Sequence, residues 1–165
     1  MLLLGNGTVV TRTKEQNWIP DGAVAMDRGV ICAVGPLRHL RQKYKDATFI
    51  DARGGLIMPA FINAHEHIYS AMARGLAING YAPRGFLDIL DGLWWNIDRH
   101  LTNDLTWLSA VETYIECIKN GVTTIFDHHA SYGEIKDSLF TIGDAAQKMG
   151  VRSCLCYEIS DRDGK

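Results

Sequence analysis

The sequence predicts an α/β fold in which a small β-rich segment precedes a region of alternating strands and helices. Up to about residue 55, short apolar strands are separated by tight turns. Downstream, apolar runs alternate with stretches of helical periodicity, and pairs of histidines end two of those runs. Strands separated by helices pair in parallel through right-handed crossovers, so their carboxyl ends meet at one edge of the sheet. That edge is where α/β proteins build their sites.

The β-rich segment contains four predicted strands and one predicted helix. Gly29 supplies the conformational freedom that a tight hairpin turn requires between the second and third strands. The predicted strands cover residues 2–10, 22–26, 30–34 and 49–51, and the predicted helix covers residues 36–45.

The downstream region contains three predicted strands, over residues 56–64, 122–129 and 151–159. Two longer helices lie between them. One begins at Asn103 as its N-cap and ends before Gly121, and the other covers residues 134–149. Helical spacing predicts that they bury Leu105, Leu108, Val111, Ile115 and Ile118 in the first and Ile135, Leu139, Ile142 and Ala146 in the second.

A long segment, residues 70–100, separates the first strand from the first of these helices. Segments of this length in compact domains are functional or locally helical. The pattern predicts a helix over residues 86–97 that buries Leu87, Leu90, Leu93 and Trp94. Trp94 and Trp95 are expected in the core. Arg74 has two interpretations, a surface ion pair or a contact to the substrate.

Composition narrows the functional classes. The chain has 165 residues, 47% hydrophobic content, 22% charged residues and a formal net charge of −2. This balance favours a globular protein and gives no indication of a nucleic-acid surface or a membrane segment. The four cysteines form no Cys-x-x-Cys motif and are expected to be buried, reduced thiols, which favours a cytoplasmic location.

His65 and His67 are the strongest functional signal. Because side chains alternate along a strand, two histidines separated by one residue project from the same face. Neutral imidazoles are common ligands of transition metals, so the pair predicts half of a metal site. The spacing differs from the zinc-protease motif, since Tyr69 stands where a second histidine would be needed.

His128 and His129 end the second downstream strand and face opposite ways, so at most one of them reaches a shared pocket directly. The sequence does not choose between them. Glu66 is predicted to point opposite to His65 and His67, where a carboxylate needs a partner or water. It either orients a metal ligand or is a tolerated substitution.

Three segments carry a resemblance to the amidohydrolase superfamily: residues 55–67 (GLIMPAFINAHEH), 73–76 (ARGL) and 121–129 (GVTTIFDHH). The first resembles the metal-binding first barrel strand of that superfamily. The other two are similar to its aminohydrolase branch, which contains deaminases and chlorohydrolases. Residues 87–95 (LDILDGLWW) resemble the SsnA group within that branch. The chain departs from the family pattern at Ala60, where glycine is usual, and at Glu66, where a small polar residue is usual.

The resemblance implies the start of a metal-dependent (β/α)8 TIM barrel preceded by part of a β-sandwich domain. Residues 1–55 are then the N-terminal part of the sandwich, and residues 56–165 are the first three βα units of the barrel. A complete barrel takes about 250 residues. We therefore expect an N-terminal fragment that is inactive alone, with the remaining ligands and the acid/base residues beyond Lys165.

The function implied by the resemblance is metal-dependent hydrolysis of a non-peptide carbon–nitrogen bond. The substrate is expected to be a small heterocycle or amidine attacked by metal-activated hydroxide. His65 and His67 are the expected ligands of one divalent metal ion, with zinc as the first choice and iron as the alternative. His128, His129 and Arg74 are expected to contact the substrate.

Two alternatives remain open. One is a cyclic amidase of the same superfamily, and the other is a non-catalytic truncated product. No nucleic-acid or membrane partner is expected, and a homo-oligomer is left open for the full-length protein.

Overall fold

The computed structural model describes residues 1–164, and the chain divides into two compact units, Met1–Pro59 and Ala60–Lys165. No helix among the described residues combines the length and the apolar character that a membrane span requires.

The first unit is a five-stranded sheet with one helix. Its elements are β1 Leu2–Val10, β2 Trp18–Asp27, β3 Val30–Pro36, α1 Leu37–Lys43, β4 Thr48–Asp51 and β5 Leu56–Ile57. Strand β1 is central: it pairs antiparallel with β2 and parallel with β4 and β5. Leu3 packs with Leu40 in one buried cluster and Val9 with Ile57 in another, because irregularities in β1 between Gly5 and Val9 interrupt the alternation of its side chains.

The apolar run predicted as one strand over residues 56–64 is divided between the two units. Leu56 and Ile57 pair with β1, whereas the strand that carries the histidines begins only at Phe61. Pro59 lies between the two pieces, and a proline cannot donate a backbone hydrogen bond to a ladder. The division between the two compact units accordingly lies after Pro59.

The second unit is a three-stranded parallel sheet in the order β6-β7-β8. Its elements are β6 Phe61–Glu66, a 3-10 helix Ile68–Ala73, α2 Phe86–Ile89, a π-helical turn Leu90–Trp94, α3 Trp95–Arg99, α4 Asn103–Lys119, β7 Val122–His129, α5 Ser138–Met149 and β8 Arg152–Tyr157. Tyr114 of α4 and Ile142 of α5 pack with Ile125 of β7 in a shared core. The opposite face of the sheet is open, and Phe126 is 45% exposed there.

Helix α4 differs from its prediction in both its cap and its buried face. Thr102, not Asn103, is the N-cap, and its hydroxyl accepts a hydrogen bond from the backbone N–H of Leu105. The predicted apolar stripe was wrong, because Leu105, Leu108, Ile115 and Ile118 are 38–49% exposed. The helix instead buries small and polar side chains that allow close packing, together with Tyr114. These residues are Thr106, Ser109, Ala110, Thr113, Tyr114 and Cys117.

Helix α5 begins four residues later than predicted. Asp137 has a φ of 65°, a left-handed conformation that a continuous α-helix excludes. Ile135 therefore lies before the helix and is 53% exposed, contrary to the prediction, whereas Ile142 and Ala146 are buried as predicted.

The helix predicted over residues 86–97 is interrupted by the π-helical turn. Leu87 is 74% exposed, so its predicted burial was wrong, whereas Leu90, Leu93 and Trp94 are half-buried. The ring of Tyr81 packs against Gly92 so closely that a Cβ there would lie 2.4 Å from it. A π-helical turn is frequent near functional sites, and this one carries Trp94.

The cysteines are free, but only one is buried. Cys117 lies on the buried face of α4, whereas Cys32, Cys154 and Cys156 are exposed. The prediction of burial was therefore wrong for Cys32 on β3 and for Cys154 and Cys156, which lie on the open face of β8.

Replacing Thr102 by alanine tests the corrected cap. We expect the free energy of unfolding to fall by about 1 kcal/mol, since the amide of Leu105 loses its acceptor. Thr102→Ser, which retains the hydroxyl, is the control and stays close to the native value. Urea denaturation measures both, and equal losses in the two variants would assign the effect to the threonine methyl group instead.

Candidate active site

The segment that carries the two histidines is a β-bulge at the end of β6. The pairing with β7 shifts register between Asn63 and Glu66, so β6 advances three residues while β7 advances two. Side chains bind the backbone of this bulge. Asn63 Oδ1 accepts from the N–H of His65 at 3.3 Å, and Glu66 Oε1 accepts from the N–H of His67 at 3.0 Å. Asn63 Nδ2 also donates to Glu66 Oε2 at 2.7 Å.

A buried carboxylate on β7 binds the next backbone amide. Asp127 Oδ1 accepts from the N–H of Ile68 at 2.7 Å, directly after His67. Burial is the main cause that raises the pKa of Asp127 to about 6. The backbone amides of His65, His67 and Ile68 thus each donate to a side chain, which holds this segment in place.

The imidazoles of His65 and His67 converge on one point. Their Nε2 atoms are 3.1 Å apart. Two nitrogens bound to one tetrahedral zinc ion at 2.0–2.1 Å are about 3.3 Å apart, so the observed separation fits a shared metal. Among the described residues, no cluster of three or more His, Cys, Asp or Glu side chains is arranged around a metal position. The two nitrogens therefore fit half of a metal site.

A hydrogen bond fixes which nitrogen of His67 is available. His67 Nδ1 lies 3.0 Å from the carbonyl oxygen of His128, and a carbonyl can only accept, so Nδ1 carries the proton. In the neutral ring the Nε2 lone pair is then free and points at His65 Nε2. A histidine that ligates a metal is commonly held in this way through its other nitrogen.

His128 and His129 lie in different surroundings. His128 lies beside His67, with ring centroids 5.5 Å apart, and lines the same cleft as His65. His129 is fully buried on the helix side between Tyr69 and Tyr157, and neither ring nitrogen has a hydrogen-bond partner among the described residues. A direct contact of His129 with substrate, which the sequence left open, does not fit this buried position.

His65 and His67 line a cleft of about 490 Å³. Its polar lining includes His65, His67, His128 and Glu158. Its aromatic and apolar lining includes Phe86, Leu90, Trp94 and Trp95. Sequence reasoning assigned the two tryptophans to the core and gave Glu158 no role. The available signal for Glu158 was its position directly after β8, at the sheet edge that also carries His65 and His128.

Arg74 lies at the rim of a neighbouring groove that it shares with Glu66 and His67. Its guanidinium is 2.9 Å from the carboxylate of Glu112 on α4 and is 67% exposed. Of the two interpretations from the sequence, this geometry favours the surface ion pair.

Asp127 and His129 make the free energy of unfolding depend on pH in opposite directions. Burial lowers the pKa of His129 to about 4 from 6.5, and raises that of Asp127 to about 6 from 3.8. Between pH 4 and 6.5 the unfolded chain binds a proton at His129 that the folded chain lacks, so stability falls as the pH drops. Between pH 3.8 and 6 the folded chain retains a proton at Asp127 that the unfolded chain releases, so stability falls as the pH rises.

Asp127→Asn tests this balance in the metal-free chain. The variant keeps an oxygen that accepts from the amide of Ile68. It removes the contribution of Asp127 to the pH dependence of the free energy of unfolding and leaves that of His129. We expect its free energy of unfolding to rise by about 2 kcal/mol from pH 4.5 to 6.5, whereas the native chain changes little over that range. Urea denaturation in chelator at several pH values measures both, and parallel profiles would contradict the assignment.

Glu66→Ala tests whether this carboxylate supports the histidine pair. The change removes the acceptor of the His67 amide and the partner of Asn63. We expect zinc affinity to fall by about 10- to 100-fold, the usual effect of removing a group that orients a ligand. Arg74→Met, which alters the neighbouring groove without touching either histidine, is the control. Calorimetric zinc titration measures both, and equal affinities would show that Glu66 is a tolerated substitution.

Comparisons with known proteins place the chain in a family. The model of the amidohydrolase family matches residues 56–165. A 5-methylthioadenosine/S-adenosylhomocysteine deaminase of Nitratidesulfovibrio vulgaris strain DP4 is 33% identical over 94% of this chain and 33% of that protein. A 5'-deoxyadenosine deaminase of Methanococcoides burtonii is 27% identical over 94% of this chain and 32% of that protein. The chain thus spans about a third of the length of these relatives.

Solved structures give the same fold. Atrazine chlorohydrolase TrzN from Arthrobacter aurescens TC1, complexed with zinc, matches 95% of this chain and 35% of its own with a TM-score of 0.76 and 24% identity. Escherichia coli guanine deaminase matches 100% of this chain and 39% of its own with a TM-score of 0.78 and 20% identity. The fold is therefore α/β, with the barrel incomplete in this chain. With two thirds of its length matched by the family model, the chain belongs to the amidohydrolase family.

Proposed function

We propose that this chain carries the metal-binding amino-terminal part of an aminohydrolase that deaminates a small heterocyclic or amidine substrate. The observation that carries the proposal is the convergence of His65 Nε2 and His67 Nε2, 3.1 Å apart, at the mouth of a cleft with an aromatic wall. The names of the relatives support it, since two of them are adenosine-type deaminases. The SsnA group within this branch stays a prediction.

The proposed cofactor is one divalent metal ion held by His65 and His67, with zinc first and iron as the alternative. Zinc in the TrzN structure supports this choice. When bound, such an ion lowers the pKa of water to roughly 7 and so supplies hydroxide at neutral pH. In this chain, Asn63 and Glu66 hold the backbone that carries the two ligands, and the carbonyl of His128 keeps the proton of His67 on Nδ1.

The remaining residues shape the cleft. His128 lies where it can donate to or accept from a bound molecule, since it lines the cleft beside His65. Trp94 and Trp95 add aromatic surface to the lining of the cleft. We propose no acid/base residue within the described chain. Hydrolysis accordingly needs groups beyond the two histidines, and the 165-residue chain alone is expected to show no turnover.

The test is ammonia release by the longest reading frame that contains this chain, loaded with zinc. The panel pairs 5'-deoxyadenosine, 5-methylthioadenosine and guanine with dihydrouracil, a substrate for the cyclic amidase alternative. We expect release from at least one amino-substituted ring and none in His67→Ala. Ring opening of dihydrouracil releases no ammonia and is followed instead through its acyclic ureido acid product. Formation of that product alone would favour the cyclic amidase, and inactivity on every substrate would favour the non-catalytic product. A cytoplasmic location and a homo-oligomeric full-length enzyme are further parts of the proposal.

A further inference from the structure

We propose that Glu158 is a specificity-determining residue that binds a hydrogen-bond donor group of the substrate, such as an amidinium or a protonated ring nitrogen. This inference rests on the proposed function, because it assigns a ligand chemistry to the same cleft. It adds a residue that neither the sequence pattern nor the similarity to the relatives singled out.

Glu158 is placed by the end of the sheet. It follows β8 directly, and its backbone N–H donates to the carbonyl oxygen of His129 at 2.8 Å, which extends the pairing with β7 by one residue. Its side chain is 23% exposed and lines the cleft together with His65, His67 and His128. The carboxylate therefore faces the same space as the convergent imidazoles.

Arg162 forms an ion pair with this carboxylate. The side chain of Arg162 is 6% exposed, and its Nε lies 3.3 Å from Glu158 Oε1 but has no hydrogen-bond partner among the described residues. Its guanidinium is held between the rings of Tyr132 and Trp95, at 4.3 and 5.0 Å from their centroids, and its Nη2 binds Asp98 Oδ2 at 2.5 Å. A guanidinium held on all these sides cannot follow the Glu158 carboxylate into the cleft.

The charges of this cluster do not balance. Asp98 and Glu158 are two carboxylates against one guanidinium, and Asp98 takes the shorter contact. No hydrogen bond from a side chain or amide of the described residues reaches the carboxylate of Glu158, and Arg162 Nε supplies a charge at 3.3 Å without a hydrogen bond. Its acceptor capacity is therefore available to a ligand. In a cleft with apolar walls, a carboxylate of this kind favours a ligand that brings donors and disfavours one that brings negative charge.

The aromatic lining favours a ligand of a particular shape. Phe86, Trp94 and Trp95 line the same cleft as Glu158. Planar rings pack favourably against aromatic side chains, and a planar cation gains further attraction from the faces of such rings. The chemistry that fits this lining is a planar ring or amidine with an N–H donor for Glu158.

The experiment uses benzamidine, which is planar and cationic, and benzoate, which has the same shape and the opposite charge. Binding to the chain is followed through the indole N–H resonances of Trp94 and Trp95. We expect the native chain to bind benzamidine and to reject benzoate. Glu158→Gln is expected to weaken benzamidine binding by about 10- to 100-fold, because a charge-assisted hydrogen bond becomes a neutral one. Glu112→Gln removes a carboxylate outside the cleft and serves as the matched control.

Equal benzamidine affinity in the native chain and Glu158→Gln would overturn the inference, as would benzoate binding as tight as benzamidine or no binding of benzamidine at all. The same variant in the full-length enzyme should raise KM for a donor-bearing substrate by about 10-fold or more, with kcat changed far less. Absence of hydrolysis by the full-length enzyme would remove the proposed function, whereas the benzamidine titration still tests Glu158 by itself.

Discussion

Replacement of Arg162 by methionine is expected to lower the free energy of unfolding by about 3–5 kcal/mol, the cost of breaking a buried ion pair by removing one partner. Asp98 is fully buried, and its Oδ1 already lacks a hydrogen-bond partner. Burial raises the pKa of Asp98, while Arg162 opposes that rise. Without Arg162 the buried carboxylate loses its counterion.

Two controls separate this effect from the loss of side-chain packing. Arg99→Met breaks the ion pair with Asp163, which joins the same two segments but is 30–37% exposed, and should cost about 1 kcal/mol or less. Adding Asp98→Asn to Arg162→Met removes the unpaired charge and should recover much of the loss. Urea denaturation of the four proteins measures these values. Equal losses from Arg162→Met and Arg99→Met would contradict the account.

Replacement of both His65 and His67 by alanine is expected to abolish measurable zinc binding by the chain. The two Nε2 atoms are the only nitrogens that the structure brings to a shared point among the described histidines, and each contributes one of the bonds to the metal. Either single variant should bind zinc at least 100-fold more weakly than the native chain.

Calorimetric zinc titration checks this prediction, with His39→Ala as the control, because His39 is an exposed residue of α1 in the other unit. The control should bind zinc like the native chain. A double variant that retains native affinity would show that the metal binds elsewhere, for example at the exposed thiols of Cys154 and Cys156.

The parts of the fold that the sequence predicted are those determined by local pattern. Strand β1, the hairpin of β2 and β3, and the histidines at the ends of β6 and β7 follow from alternation and turn residues. The two imidazoles lie together as the His-x-His spacing predicts, although they do so in a bulge at the end of β6 and not along a regular strand.

The errors arose where tertiary packing decides. Helix α4 has apolar residues on two faces, so its spacing could not show that the face with Ala110 and Tyr114 is the buried one. The left-handed Asp137 interrupts a helical pattern that is continuous in sequence. The choice between His128 and His129 depended on which face of β7 the helices cover, and no local signal contains that information.

The bulge in β6 was also beyond the sequence pattern. A regular strand places Glu66 opposite to its neighbours without a partner, whereas the bulge brings it within hydrogen-bond distance of Asn63 and the amide of His67. The carboxylate that departs from the family pattern thus has partners of its own. Glu158 and Arg162 are four residues apart, but Arg162 is held by Asp98 of α3 and by Tyr132 after β7, which are distant from it in sequence.

The most direct test of the metal site is a nitrogen-15 NMR spectrum of the histidine side chains during zinc titration. The account predicts that one equivalent of zinc shifts the Nε2 resonances of His65 and His67 together, while Nδ1 of His67 stays protonated against the carbonyl of His128. Movement of another histidine in their place, or of neither, would contradict the claim that these two imidazoles form the metal site.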